Sequence, residues 1–277
     1  MVHACIPEGV FIFTMEIVFV KKEAKHPNGM TVVFNEEDHV YRIKETGQIL
    51  TSVTTFIDRF FPHFDADKMA PRCVNKPKYK GMTAEQIKES WEANAQRARN
   101  EGTNVHEYAE NLWAGKDKPL PISDRCHLLF EQVDRASKKL KERGLVFSDA
   151  EKIVFSPELG LAGMIDLLLY DPLMNQFVII DWKQNGTIST SNRWDTARKP
   201  ISHLEATDLV KYSLQLNLYR FIFKYEGYYP LSKDIRMALL HLTENSNCPY
   251  KINLMLPEIF QLIGAVRQQQ ESAHEGN

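Results

Sequence analysis

The stretch that decides the fold is residues 163–183, which read GMIDLLLYDPLMNQFVIIDWK. Its two apolar runs, 167–170 and 177–180, are separated by the polar segment DPLMNQ. Short apolar runs bounded by turn-forming residues are typical of strands that are buried on both faces. The stretch therefore predicts a hairpin of two buried strands.

The open end of this hairpin carries three charges. If Tyr170 pairs with Phe177, the antiparallel register also places Asp166 opposite Asp181, with Cβ atoms about 5 Å apart on one face. Lys183 alternates to the same face. Two facing carboxylates are costly where water is scarce, and a divalent cation removes that cost. The three residues together predict a metal site for phosphodiester hydrolysis, and a structural Asp–Lys ion pair is the alternative.

Composition sets wide limits. The chain has 277 residues, of which 43% are hydrophobic and 25% charged, as in an ordinary soluble globular protein. The net charge of −2 leaves room only for a local basic surface. The four cysteines lack metal-clip spacing and indicate reduced thiols in an intracellular, reducing compartment. They are Cys5, Cys73, Cys126 and Cys248.

Targeting signals are not evident. The apolar run from Val10 to Val20 is too short to cross a bilayer and lacks the basic start of a secretory signal, so we predict a strand there. The chain is not Arg-rich enough at this end to indicate a transit peptide.

The N-terminal part predicts strands followed by helices. We expect a hairpin in residues 31–50 and a short helix capped by Thr51 or Ser52. Residues 71–82 predict a mobile surface loop. A capping box at Thr83 predicts a helix to about Arg99, which Gly102 interrupts before a second helix, Val105–Trp113.

The remaining elements complete an α/β sandwich around one mixed sheet. In order they are a helix from Ser123 to Lys141, a strand at 152–155, the hairpin, a long polar loop at 185–207, a helix from Asp208 to Tyr225, a strand at 237–242 and a final helix at 257–270.

Two helical pairs are candidate site residues. His106 and Glu110 are four residues apart beside an apolar stripe, and His106 is either a nitrogen ligand for a metal or half of a helical polar pair. Gln215 and Tyr219 are also four apart, on a helix that is apolar nearly all round. A buried Gln needs partners, so Gln215 either bonds to backbone or supports the site or a phosphate, with Tyr219 facing a nucleotide.

Three further residues are weaker candidates. Glu151 precedes the strand at 152–155, near the hairpin, and is either a catalytic carboxylate or solvated. Asn185 follows Lys183 by two residues, where it orients the lysine or contacts phosphate. Arg193, with Arg198 and Lys199, is either a phosphate contact or an exposed surface charge.

Four motifs occur in order: Gly102-x-x-x-His106, Gly163-x-x-Asp166, Asp181-x-Lys183 and Gln215-x-x-x-Tyr219. This set resembles the PD-(D/E)XK nuclease superfamily, in its RecB-like branch. Ser52-Val53-Thr54 upstream, His106-Glu107 and Asp181-Trp182-Lys183 are similar to the exonucleases of mitochondrial genome maintenance and to related viral and phage nucleases.

The resemblance implies a fold and a set of roles. The fold is an α/β restriction-endonuclease-like core with a central mixed β-sheet flanked by helices and with an N-terminal helical region. We expect one domain over residues 1–277, with its catalytic core at about 100–245 and residues 1–99 packed on it. By carry-over, His106, Asp166 and Asp181 bind metal, and Lys183 activates the attacking water. Gln215, Tyr219 and Ser52 face nucleic acid.

The implied activity is that of a nuclease dependent on one or two Mg²⁺ or Mn²⁺ ions, acting as an exonuclease on single-stranded DNA or strand ends. RNA is not excluded, and no membrane partner is expected. An iron–sulfur cluster is not expected, because Cys248 alone lies downstream. The alternatives are a metal-dependent endonuclease on RNA or duplex DNA, and a non-catalytic nucleic-acid-binding protein. A sugar or nucleotide hydrolase would leave Lys183 and Gln215 without a role. The sequence leaves digestion polarity and oligomeric state open.

Overall fold

The computed structural model describes residues 21–275, with side chains from 22 to 268. The protein is an α/β sandwich whose mixed sheet has helices on both faces. The strand predicted at Val10–Val20 lies outside the described residues. Within the described part, no helix is long and apolar enough to cross a membrane.

The described strands are β1 (Lys21–Lys25), β2 (Thr31–Asn35), β3 (Val40–Ile43), β4 (Ile49–Ser52), β5 (Val146–Ser156), β6 (Leu161–Asp171), β7 (Gln176–Lys183), β8 (Ile235–Leu242) and β9 (Asn247–Lys251). The helices are α1 (Val53–Asp58), α2 (Ala66–Cys73), α3 (Ala84–Ala114), α4 (Asp124–Glu142), α5 (Asp208–Tyr225) and α6 (Leu256–Glu275).

The sheet runs in the order β1-β2-β3-β4-β6-β7-β8-β9, and β5 pairs with β6 outside this path. Strands β1 to β4 form an antiparallel meander. Helix α5 is the crossover between the parallel strands β7 and β8. Parallel strands need such a crossover, and here it lays α5 across the sheet beside the charged end of β7.

The predicted hairpin is confirmed. Strands β6 and β7 pair antiparallel with Tyr170 opposite Phe177, and the paired segment extends from Leu167 opposite Ile180 to Asp171 opposite Gln176. The register predicted from the turn is thus the register of the protein, and it leads directly to Asp166 and Asp181 at the next position.

A gap in strand pairing lies beside this position. Strand β5 pairs along one edge of β6, while β4 pairs with residues 161–162 and β7 with residues 167–171. Since β5 occupies one edge, β4 and β7 must share the other. Residues 163–166 therefore have no strand partner on that edge among the described residues. The gap leaves space in the sheet where the second motif lies.

The core has two main layers. On one face, α1, α5 and α6 pack on Leu168 and Ile179. On the other face, α3 and α4 pack on Leu169 and Trp182. Trp182 is 1% exposed and packs in this second layer, on the face of β7 opposite Asp181. The site between α3 and α5 is therefore held by both layers.

The predicted interruption at Gly102 is wrong. Helix α3 runs unbroken from Ala84 to Ala114 and ends at Gly115, which has a φ of 68°. A Cβ on Gly102 would lie 2.3 Å from the Gln184 side chain. Glycine costs about 1 kcal/mol inside a helix, but here it leaves room for the Gln184 side chain to lie against the helix.

Three other expectations need correction. Residues 71–82 are not simply a mobile loop, because α2 reaches Cys73, which is buried, and a short 3₁₀ helix spans Pro77–Tyr79. Strand β5 is 11 residues long rather than four. Strands β1, β4 and β9 were not predicted. The cap of α1 by Ser52 and the bounds of α5 are confirmed.

Candidate functional site

Four elements bring the motif residues together beside the pairing gap of β6. Helix α3 supplies His106, β5 supplies Glu151, β6 supplies Asp166, and β7 supplies Asp181 and Lys183. Helix α5 adds Gln215 and Tyr219 from the opposite side. Residues far apart in the chain thus meet at one place in the sheet.

Three of these side chains offer possible metal ligands at close range. One ligand atom each from His106, Glu151 and Asp166 lies within 4.8 Å of the others. His106 Nδ1 is 3.5 Å from Asp166 Oδ2. The group offers one imidazole nitrogen and two carboxylate oxygens.

Glu151 reaches this group through an irregular backbone. The pairs on either side of it, Ala150 with Leu167 and Lys152 with Ile165, place it opposite Asp166. Its φ of 50° is left-handed, which costs a non-glycine residue about 1–3 kcal/mol. Such strain persists only where the surrounding structure fixes it, and here it lies at the acidic cluster.

Asp181 has different partners. Its Oδ1 accepts a hydrogen bond of 3.1 Å from Gln215 Nε2, and the Lys183 ammonium lies 2.7 Å from its Oδ2. Oδ2 is buried and accepts no hydrogen bond of good geometry from any described residue, so Lys183 contacts it as an ion pair only. Asp181 therefore lies outside the close group, in which Glu151 takes the place that the sequence analysis gave to Asp181.

Simultaneous ionisation of the Asp166 and Glu151 carboxyl groups is unfavourable. Burial and, after it, the charge of Asp181 raise the pKa of Asp166 to about 8, although its Oδ2 accepts a 2.9 Å hydrogen bond from the Trp182 amide. Burial and the charge of Asp166 also raise the pKa of Glu151. Bringing these carboxylates together without a cation is thus unfavourable.

The His106 imidazole and the Lys183 amine differ in their protonation state. Burial lowers the pKa of His106, which favours a neutral imidazole with a free lone pair. Burial also opposes the charge of Lys183, but Asp181 and Asp166 outweigh it and raise the pKa of that ammonium. Lys183 also lies over the Tyr212 ring, 4.9 Å from its centroid. Lys183 is therefore a fixed positive charge at the site.

Gly163 and Tyr219 are in direct contact. A Cβ on Gly163 would lie 2.2 Å from Tyr219 Cε1, and the ring is 4% exposed. The Tyr219 hydroxyl accepts a 3.1 Å hydrogen bond from Gln215 Nε2, the group that also binds Asp181. The glycine of the second motif thus makes room for the aromatic residue of the fourth.

A cleft of about 760 Å³ opens over the group. The β2–β3 hairpin, the start of α1, the middle of α3 and the gap of β6 form its walls. Its lining includes Ser52, His106, Glu151, Gly163 and Tyr219. His106 and Glu151 are therefore accessible to a molecule in the cleft, whereas Asp166, Asp181 and Lys183 are not among the residues that line it.

The weaker candidates have other surroundings. Ser52 borders the cleft, but its hydroxyl caps α1 by accepting from the Thr55 amide at 3.1 Å. Asn185 Nδ2 donates to the Tyr212 hydroxyl at 2.6 Å and so does not bind Lys183 directly. Arg193 is exposed on the long loop and is not among the described residues that line the cleft.

Two residues of the site were not predicted. Tyr212 lies one helical turn before Gln215, a spacing that could have indicated a side chain on the same face. Lys22 contacts Glu151, which is 129 residues away in the chain, and no local pattern indicates such a contact.

Comparisons with known proteins do not assign the chain to a family. No family model and no curated protein matches the chain. Among solved structures, the protein SSO0001, known from a crystal structure, is 15% identical, with a match that covers 60% of this chain and 74% of that one. The TM-score is 0.26, too low to carry an argument about fold or function.

Proposed function

We propose that this protein is a metal-dependent nuclease that hydrolyses DNA phosphodiester bonds, acting on single-stranded DNA or strand ends. One observation carries the proposal. His106, Glu151 and Asp166 offer ligand atoms within 4.8 Å of one another at a cleft, beside the Asp181–Lys183 ion pair.

The donor set fits a divalent cation. Carboxylate oxygens with one imidazole suit Mg²⁺ or Mn²⁺. The Oδ2 of Asp181 accepts no hydrogen bond of good geometry from the described residues, and a cation that draws it away from the Lys183 ammonium, 2.7 Å away, would gain a further oxygen ligand. Burial and, after it, repulsion between carboxylates raise the pKa values of Asp166 and Glu151, and a bound cation would offset both costs. We assign His106, Glu151, Asp166 and Asp181 as the residues that would hold it.

When bound, the cation would lower the pKa of a water molecule and stabilise charge on the phosphate. Lys183 keeps its proton and places a positive charge where negative charge develops during hydrolysis. Gln215 holds one oxygen of Asp181 and Lys183 faces the other, so a bound cation would share that second oxygen with the ammonium. The Tyr212 ring supports the Lys183 ammonium from the other side.

The preference for single strands or ends comes from the sequence resemblance, since the cleft alone does not distinguish DNA from RNA. An endonuclease that acts on RNA or duplex DNA has the same cluster. A binding protein without activity needs no lysine paired with one of three clustered carboxyl groups. Substrate comparison separates these possibilities.

The test is a cleavage assay on end-labelled linear and circular single-stranded DNA, duplex DNA and RNA, with Mg²⁺, Mn²⁺ or EDTA. We expect loss of linear single-stranded DNA that requires the metal, with circular strands spared. Lys183→Met should abolish cleavage, while Lys138→Met, an exposed change on α4, should not. Cleavage in EDTA, or at the wild-type rate in Lys183→Met, would refute the proposal.

A further inference from the structure

The side chain of Lys22 reaches from β1 into the acidic cluster. Its Nζ lies 3.3 Å from Glu151 Oε2 and 3.2 Å from Glu36 Oε1. The side chain keeps 31% of its surface exposed. Lys22 is therefore a cation in direct contact with a carboxylate that we assign to the metal, and it borders open space.

Lys22 is a basic residue in a cleft whose other charged lining residues are acidic. Among the described residues that line it, Lys22 is the only lysine or arginine. The acidic lining residues are Glu36, Glu107, Glu110 and Glu151. A strand of nucleic acid carries one negative charge per nucleotide, so it needs cationic contacts where it enters such a cleft. Lys22 is the side chain that can supply one.

We propose that Lys22 binds a substrate phosphate and changes partners to do so. Without a divalent cation, the ammonium neutralises Glu151. A cation bound to Glu151 repels the ammonium, which keeps Glu36 as its anchor and turns its remaining N–H groups to a phosphate in the cleft. This inference rests on the proposed function and names the residue that couples metal binding to substrate binding.

The strand geometry allows this exchange. Lys22 is on β1, which pairs only with β2 in the described part of the chain, and its long side chain has room to move at the cleft rim. Lys25 is on the same strand, is exposed and does not line the cleft. It is therefore a matched control for charge and strand position.

The experiment compares Lys22→Met, Lys22→Arg and Lys25→Met. Calorimetric titration of each protein with Mn²⁺ should show tighter metal binding in Lys22→Met, because the competing cation is gone. Binding of single-stranded DNA is then measured with Mn²⁺ present, in a Lys183→Met background that blocks turnover. Lys22→Met should weaken strand binding roughly tenfold and reduce the slope of log affinity against log salt by about 0.7, the loss of one phosphate contact. Lys22→Arg should retain both the affinity and the slope.

The outcomes separate this inference from the proposed function. If the wild type neither binds the cation nor cleaves, the proposed function fails. If it does both, but Lys22→Met matches Lys25→Met in salt slope or binds Mn²⁺ no more tightly, the exchange is wrong and Lys22 only pairs with two glutamates. Thermal unfolding of all variants shows whether β1 is intact.

Discussion

The two ends of the β6–β7 hairpin differ in strand pairing and in the polarity of their side chains. At the closed end, residues 167–171 pair regularly with 176–180, and Leu168 and Ile179 are fully buried. At the open end, residues 163–166 lack a strand partner on one edge within the described part of the chain, and Asp166 lies close to Asp181 and Lys183.

The difference separates the end that stabilises the fold from the end to which we assign the proposed chemistry. Each large aliphatic side chain buried at the closed end contributes about 1.5–3 kcal/mol. At the open end, burial and mutual repulsion raise the pKa of two carboxyl groups, so the metal-free site costs stability. Substitutions at the two ends should therefore separate stability from activity.

The largest effect is expected at Asp166. Asp166→Asn removes a proposed metal ligand and should reduce cleavage by about 10³-fold or more. It also removes a buried charge while an amide oxygen can still accept the Trp182 hydrogen bond, so metal-free thermal stability at pH 8 should rise. Turnover and thermal unfolding in EDTA measure the two effects. Wild-type turnover in this variant would remove Asp166 from the site.

Leu168→Ala, at the closed end, should lower stability and leave activity unchanged. Leu168 is 1% exposed, and deleting its side chain should lower the free energy of unfolding by about 2–5 kcal/mol. Metal affinity and turnover below the melting temperature should stay at wild-type values. Chemical denaturation and a metal titration check this. A large loss of metal affinity would show that the two ends are not separable.

The two close-approach glycines sharpen the comparison. In Gly163→Ala the new methyl group meets the Tyr219 ring, which is packed and tied to Gln215, so we expect about 1–3 kcal/mol of destabilisation with reduced turnover. Gly102→Ala meets only the end of the flexible Gln184 side chain. That side chain can move, and alanine favours the helix by up to about 1 kcal/mol, so the net change should be small. An equal loss of stability in Gly163→Ala and Gly102→Ala would contradict this distinction.

Sequence reasoning succeeded where a pattern is local. The hairpin register follows from two apolar runs around one turn, and α5 begins and ends at the predicted residues. It failed at α3, because glycine usually marks the end of a helix but Gly102 instead allows close packing with Gln184. It also missed the first half of β5, where Val146, Phe147 and Ser148 are exposed and no alternation of buried and exposed residues marks a strand.

The contacts of the site were only partly predictable. Motif spacing pointed to Asp166, Asp181 and Lys183. That Glu151 joins His106 and Asp166 depends on the left-handed backbone of β5, which glutamate does not indicate. That Asp181 turns to Lys183 and Gln215 depends on how α5 crosses the sheet. Tertiary packing decides such contacts.

The pH dependence of metal binding tests directly whether a carboxyl group at the open end holds a proton that a cation must displace. Because the Asp166 pKa is raised to about 8, this group contributes stability that is fully present below about pH 4 and is lost progressively as the pH rises to 8 in the metal-free protein. A cation requires the ionised carboxylate, so its affinity should change in the opposite direction and fall by up to about tenfold for each pH unit below 8. His106, with its lowered pKa, should not compete for the proton near neutral pH. Calorimetric titrations between about pH 6 and 8, in two buffers of different ionisation heat, count the protons released. Leu168→Ala should keep this pH dependence and Asp166→Asn should lose it, whereas a flat profile in the wild type would mean that no carboxyl group at the open end holds a proton that the cation must displace.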